Sequence, residues 1–345
     1  MRSMKHPIQL PKNAKIVIIR LSALGDVCHT MSVVSAIQKR YPKAEITWIT
    51  GKLEAQLVEM MPNVNIEVYD KKSGLKGMLA IRQRFQNKKF DALLHMQWSF
   101  RASLLSRMLK AGVRVGFCKS QSREKQHWFV NQLAPIPTGL HVLDSLMSIA
   151  KVIDVNNSVK PFWNIKQPIK KTALPVDYVI VNPCASDSIR NWTLDGYRNL
   201  IAFLMSQNQK VVLTGGVSKS EVDFVNQVAT GLDVINLVGA TSLVELTAVI
   251  REAKLIISPD TGPVHIATMV DTPVIGLYAL SNSDRTGPYL AKNLVISAYT
   301  ELAEQEYGKP LNEIPWSSRV HDVHAMEYIK VEDVIAKVNK VLVAD

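Results

Sequence analysis

The residues with the most chemical content sit where apolar runs give way to small, polar turns. Asp260, Thr261 and Gly262 separate the apolar run Leu255 to Ile257 from Pro263, and a second apolar run, Pro273 to Leu277, follows. Pro at a first helical position, with Asp or Thr just before it, is a helix-starting combination. Leu255 to Tyr278 therefore reads as strand, turn, helix, strand. The free backbone N–H groups of such a helix start, from Thr261 to Val264 except at Pro263, attract anions, phosphate above all. A simple helix cap at Asp260 or Thr261 explains the same residues equally well. Asp26, just after Gly25 near the start of another expected helix, is held beside backbone donors in the same way, either as a reactive carboxylate or as a cap. The turn Asn182 to Trp192 adds Arg190, whose planar fork suits a diphosphate and also suits a solvated face.

The elements that position these turns follow from the hydrophobic pattern. Lys15 to Arg20 is a β-branched run of the kind buried in a parallel sheet, and a helical pattern runs on to Arg40 through Val33, Val34 and Ile37. Strands at Ile46 to Thr50, Ile66 to Tyr69 and Ala92 to His95 alternate with helices at Lys52 to Met60, Leu75 to Gln86 and Ser99 to Leu109. Asn156 to Pro175, with Pro161, Pro168 and Pro175, reads as a connection. Alternation then resumes with strands at Tyr178 to Asn182, Lys210 to Thr214, Val234 to Leu237 and Leu255 to Ile257. The helices between them are Leu194 to Ser206, Glu221 to Ala229 and Leu243 to Glu252, and Val331 to Val343 closes the chain as a helix. Such α/β alternation builds doubly wound parallel sheets, with ligands outside the carboxyl ends of the strands. The expected organisation is two Rossmann-like domains, 1–160 and 161–330, facing across a cleft, with 331–345 as a terminal helix.

Composition narrows the partners. At 345 residues and 47% hydrophobic content, the chain has material for two full cores. No apolar run approaches the roughly 18 residues needed to cross a membrane. The first fourteen residues carry Arg2, Lys5 and Lys12 without a signal-peptide core, so the expected location is the cytosol. Cys28, Cys118 and Cys184 are odd in number and widely spaced, which argues against a disulfide framework or a zinc site. The formal charge of +11 is lopsided: residues 1–160 carry 25 Lys plus Arg against 10 Asp plus Glu, while 161–345 carry 16 against 20. The first half therefore faces a polyanion. Its basic zones, Lys71 to Lys89 and Arg101 to Lys125, interleave few aromatic residues, so nucleic acid is not the expected partner.

Taken together, Arg20-Leu-Ser-Ala-Leu-Gly-Asp26-Val27, Arg190-Asn-Trp192, Thr214-Gly-Gly216, Asp260-Thr-Gly-Pro-Val-His265 and Arg285-Thr-Gly-Pro-Tyr289 resemble the lipopolysaccharide heptosyltransferases of glycosyltransferase family 9, the type I enzymes most of all. The resemblance spans nearly the whole chain in the right order. It implies a GT-B architecture with acceptor held by the first domain and donor by the second. It also implies transfer of L-glycero-D-manno-heptose from ADP-heptose to Kdo of the lipid A inner core, with inversion and without a cofactor. By the same resemblance Asp26 is the catalytic base. Ser186, Arg190, Gly215, Gly216, Asp260, Thr261, Gly262 and His265 hold the donor, Ser186 and Arg190 at its diphosphate. A family member used for comparison has Lys where this chain has Arg190, which keeps the charge and changes the geometry.

The chemistry agrees with this reading. Inverting transfer needs one base for the acceptor hydroxyl and positive charge or helix dipoles for the departing diphosphate. No Asp-x-Asp triplet occurs in the chain, so catalysis is expected to need no metal; His321-Asp-Val-His324 reads as a surface turn rather than a metal site. Acceptor contacts are expected at Lys71, Lys72, Arg101 and Arg123. An acceptor of Kdo-lipid A type places the enzyme peripherally at the cytoplasmic face of the inner membrane, where each Lys or Arg adds on the order of 1 kcal/mol of attraction to anionic lipid. The competing readings are heptosyltransferase II or another family 9 transferase, a GT-B nucleotide-sugar epimerase, and a basic sensor that binds nucleotide sugars without chemistry.

Overall fold

A computed structural model describes residues 6–156, 160–169 and 172–342; Arg2, Lys5 and Val343, named above, lie outside them. Its polypeptide separates into two compact units, Met1–Gln167 and Pro168–Asp345. The first contains β1 (Lys15–Ile19), β2 (Glu45–Thr50), β3 (Val64–Val68), β4 (Lys89–His95), β5 (Lys110–Gly116) and β6 (Gln132–Leu133). The second contains β7 (Tyr178–Val181), β8 (Lys210–Leu213), β9 (Ile235–Asn236), β10 (Leu255–Pro259), β11 (Val274–Tyr278) and β12 (Ile296–Ser297).

Both sheets are parallel and have the same winding, β3-β2-β1-β4-β5-β6 and β12-β11-β10-β7-β8-β9. In each, the first and fourth strands are neighbours and the chain reverses its direction of winding between them. The connections leaving those two strands diverge, which opens a crevice at their carboxyl ends. The crevices lie at β1/β4 in the first unit and at β7/β10 in the second. Asp26 follows β1, and Arg190 and Asp260 follow β7 and β10.

The central strands read as unbroken apolar runs because helices cover both their faces. Ile16, Val17, Ile18 and Ile19 of β1 are all fully buried. The helix Leu24–Arg40 turns Val27, Met31 and Val34 inward at helical spacing. In the second unit, Val179, Val181, Leu213, Leu255 and Ile257 meet Tyr197, Leu200 and Leu204 of the helix Leu194–Ser206.

The structure differs from the sequence reading at three places. β5, β6 and β12 were not expected, because their sequences lack a continuous apolar run and their residues are largely half-buried toward the sheet margins. The domain boundary lies later than residue 160. The Trp163 indole donates to Cys28 O at 2.7 Å, the Asn164 amide to Ser35 Oγ at 2.9 Å and the Lys166 amide to Met60 O at 2.7 Å, so this proline-flanked stretch is bound to the first unit. The helix Val331–Leu342 is not a separate piece: Val334 and Val338 are fully buried in the second unit's core.

Candidate active site

In the first unit, Asp26 occupies the first turn of the helix Leu24–Arg40, whose N-cap residue Ala23 offers no side-chain cap. Its carboxylate is ion-paired with Arg20, the last residue before the turn, and the two side chains are 29% and 1% exposed. Arg20 is thus buried while Asp26 reaches solvent. The Arg20 Nη1 also donates to Met96 O at 2.5 Å, its guanidinium lies 5.4 Å over the Trp98 ring, and its Nε has no partner among the described residues. Burial pulls the guanidinium down to about 9, opposed by nearby Glu54. A buried cation therefore sets the direction of the part-exposed carboxylate at the β1/β4 crevice. Arg20 belongs to the sequence motif but carries no role there, because burial cannot be read from a single charged residue at a strand end.

The wall of this crevice is stapled by side-chain amides. Gln97 Oε1 accepts from the amide of Leu21 at 2.9 Å, and Gln126 reaches His95 Nδ1 at 3.1 Å and His95 O at 3.0 Å. Burial holds the His95 ring neutral down to about pH 3, against an ordinary value of 6.5. Between these values the unfolded chain binds a proton that the folded one does not, so stability falls as the solution is acidified through that window. Urea melts should show up to about 1.4 kcal/mol lost per pH unit from this group below 6.5, and His95→Gln should flatten the slope by that amount. An unchanged slope in the variant would exclude His95 as its source.

The acceptor-side residues divide. Lys71 pairs with Glu54 at 3.8 Å and so reaches the carboxylate that faces Arg20, while Arg101 donates to the Lys71 backbone O at 3.0 Å. Gly51 makes this approach possible: a Cβ there would meet Leu21 O at 2.7 Å and Glu54 Oε2 at 2.3 Å. Lys72 is exposed, with its amide bound to Asp70 Oδ1 at 2.8 Å, and Arg123 is exposed on the connection after β5.

In the second unit the expected donor residues converge. Arg190 donates through Nη2 to Ser186 Oγ at 2.8 Å and through Nη1 to Asp260 O at 2.7 Å, with the Asp260 carboxylate at 3.7 Å. Asp260 accepts from the Ser281 hydroxyl at 2.5 Å and does not cap the following helix. Thr261 is the N-cap residue of the helix Gly262–Met269, in extended conformation and without a side-chain cap bond. The Val264 amide donates back to Thr261 O at 3.2 Å, and Pro263 has no N–H. The expectation that Val264 would face an anion is therefore corrected, and the donors at this helix start are the amides of Thr261 and Gly262. His265 is 6% exposed; burial holds its ring below the ordinary range, with Asp260 opposing.

Gly215 and Gly216 leave β8 beside this group. Asn182 joins the strand ends, accepting from Thr214 Oγ1 at 3.1 Å and donating to Ser258 Oγ at 3.2 Å. A Cβ on Gly216 would meet Glu221 Oε2 at 2.1 Å, and that buried oxygen has no partner among the described residues. Sequence reasoning passed over Asn182, Glu221 and Ser281, since lone polar residues carry no spacing signal. Arg190, Ser281, Arg319 and His321 line a cavity of about 150 Å³. His321 and His324 pair with different carboxylates, Glu306 at 2.6 Å and Glu327 at 2.7 Å, rather than with each other.

One unit thus presents a carboxylate set by a buried arginine, and the other a guanidinium and an uncapped helix start. The family model for glycosyltransferase family 9 (heptosyltransferase) matches residues 78–314. The chain is 40% identical over 341 residues to the lipopolysaccharide core heptosyltransferase OpsX of Haemophilus influenzae, covering 96% of this chain and 97% of that one. It is 24% identical to lipopolysaccharide heptosyltransferase 1 of Escherichia coli K12, over 83% of this chain and 94% of that one. Among solved structures, E. coli heptosyltransferase WaaC with ADP superposes with a TM-score of 0.77 at 20% identity, over 95% of this chain and 99% of that one. E. coli ADP-heptose lipopolysaccharide heptosyltransferase II superposes with 0.72 at 19%, over 96% and 99%. The fold is that of the GT-B glycosyltransferases, with two doubly wound α/β domains.

Proposed function

This chain belongs to glycosyltransferase family 9 and is a transferase of lipopolysaccharide core biosynthesis, and on that premise we propose that it moves L-glycero-D-manno-heptose from ADP-heptose to a Kdo residue of the lipid A inner core with inversion. The observation that carries the donor half is the pairing of Arg190 with an uncapped helix start at Thr261 and Gly262. Together they offer a cation and oriented amides to a diphosphate. The solved structure of E. coli heptosyltransferase WaaC with ADP-2-deoxy-2-fluoro heptose supports the same donor class.

In the reaction, the acceptor hydroxyl oxygen attacks the anomeric carbon as its proton passes to the Asp26 carboxylate. The bond from that carbon to the diphosphate oxygen breaks, and ADP leaves with the electron pair. Arg190 and the amides of Thr261 and Gly262 stabilise the charge that develops on the leaving oxygen. Asp260, held by Ser281 and Arg190, is the acceptor for sugar hydroxyls. Gly215 and Gly216 contribute the backbone of the turn after β8 to the donor site. Ser186 orients Arg190, and His265, on the helix that Thr261 begins, belongs to the donor site. Lys71, Lys72, Arg101 and Arg123 meet the anionic acceptor.

With such an acceptor the enzyme works at the anionic cytoplasmic face of the inner membrane. No helix among the described residues is long and apolar enough to cross a membrane. Pure protein incubated with ADP-heptose and Kdo-lipid A should form product only when both substrates are present, and equally well with a chelator. Donor turnover without acceptor would instead mark an epimerase, and absence of any chemistry would mark a sensor. Product formed only with an acceptor that already carries one heptose would shift the assignment to the heptosyltransferase II reaction.

A further inference from the structure

Among the large apolar side chains of the first unit that stand in solvent are Leu75, Phe100 and Trp128, 63%, 47% and 67% exposed. Each lies on a connection that leaves the carboxyl end of a strand, Leu75 after β3, Phe100 after β4 and Trp128 after β5. The sheet is parallel throughout, so these connections leave the same edge as the turn carrying Asp26. Contacts join them. Arg101, next to Phe100, bonds Lys71 O; the Glu124 carboxylate accepts from the Phe100 amide; the Phe100 ring meets Phe129 edge-on at 5.6 Å; and the Lys125 ammonium lies 4.7 Å over the Trp128 ring. Lys72, Lys76 and Lys125 are exposed among them.

Exposed aromatic and aliphatic side chains interleaved with lysines suit the boundary between headgroups and acyl chains: the rings enter it while the ammonium groups stay with the phosphates. We infer that this patch docks on an anionic lipid leaflet, with Leu75, Phe100 and Trp128 entering the acyl boundary and Lys72, Lys76 and Lys125 meeting phosphate headgroups. The inference rests on the lipid-anchored acceptor proposed above, whose sugars must reach the edge that carries Asp26 while its acyl chains stay in the leaflet. It goes beyond attraction of charges, because apolar insertion persists where salt screens the lysines.

The test is co-sedimentation of the full-length protein with vesicles of phosphatidylcholine and phosphatidylglycerol at low and high salt. Wild type should stay bound at high salt, and Leu75→Ser combined with Trp128→Ser should weaken that binding roughly tenfold or more. Val176→Ser, which alters an 85% exposed apolar residue of the second unit, should change nothing. Urea melts verify folding, and Trp128→Ser alone repeats the test if the double variant is destabilised. Equal binding of variant and wild type at high salt would overturn the inference, and so would wild-type binding that salt abolishes. Transfer to a deacylated, water-soluble Kdo acceptor should survive in the double variant and fall for acceptor embedded in vesicles. If wild type modifies neither acceptor, the acceptor assignment fails, and the vesicle measurement still decides the docking surface.

Discussion

An Asp26→Asn enzyme is expected to lose about 10²–10⁴-fold in turnover, while its affinity for ADP-heptose stays within a few-fold of wild type. Asparagine keeps the shape and one acceptor oxygen but cannot take the proton of the attacking hydroxyl. Donor affinity should hold because the nucleotide residues lie on the second unit. A second effect follows from the burial of Arg20. With its carboxylate partner neutralised, a guanidinium that is 1% exposed loses its compensating charge, and breaking a buried pair costs about 3–5 kcal/mol. The part-exposed Asp26 places the expected loss toward or below the lower end. Kinetics should therefore be measured well below the variant's melting temperature, with calorimetric ADP binding as the control. Near-normal turnover would remove Asp26 from the base role.

Arg190→Ala should lower kcat/KM by roughly 10²–10³-fold and weaken ADP binding, because the change removes charge from the leaving diphosphate and frees the Asp260 loop. Nη1 and Nη2 serve two partners at once, Asp260 O at 2.7 Å and Ser186 Oγ at 2.8 Å. A lysine is a point charge and does not reproduce that fork, so Arg190→Lys should restore part of the ADP affinity and less of the turnover. Comparing the two variants separates charge from geometry. An Arg190→Ala enzyme that binds ADP and turns over within a few-fold of wild type would refute the diphosphate role.

Much of this was legible in advance because the physics involved is local. β-branched runs such as Ile16 to Ile19, buried on both faces, and the Thr-Gly-Pro helix start are specified by neighbouring residues. The element order of the second unit as far as Leu255 to Tyr278 could be read from alternation of period and turn. β5 was hidden because Gly112, Arg114 and Gly116 interrupt its apolar pattern, and its strand character comes from pairing with β4. The proline-containing stretch around Trp163 resembled a linker until its hydrogen bonds to Cys28, Ser35 and Met60 tied it to the first unit.

The same division runs through the site. By itself the sequence determined the fold class, the basic first half, and the turns where Asp26, Arg190 and Asp260 must lie, since each depends on composition or on residues close together in the chain. Only the tertiary structure decided that Arg20 is the buried partner of Asp26, that Arg190 bridges Ser186 and Asp260, that Ser281 rather than the helix takes up the Asp260 carboxylate, and that Leu75, Phe100 and Trp128 share one edge. The reason is that charge pairing, desolvation and exposure depend on distances in space, and groups such as Arg190 and Asp260, 70 positions apart in the chain, become neighbours only when the unit folds.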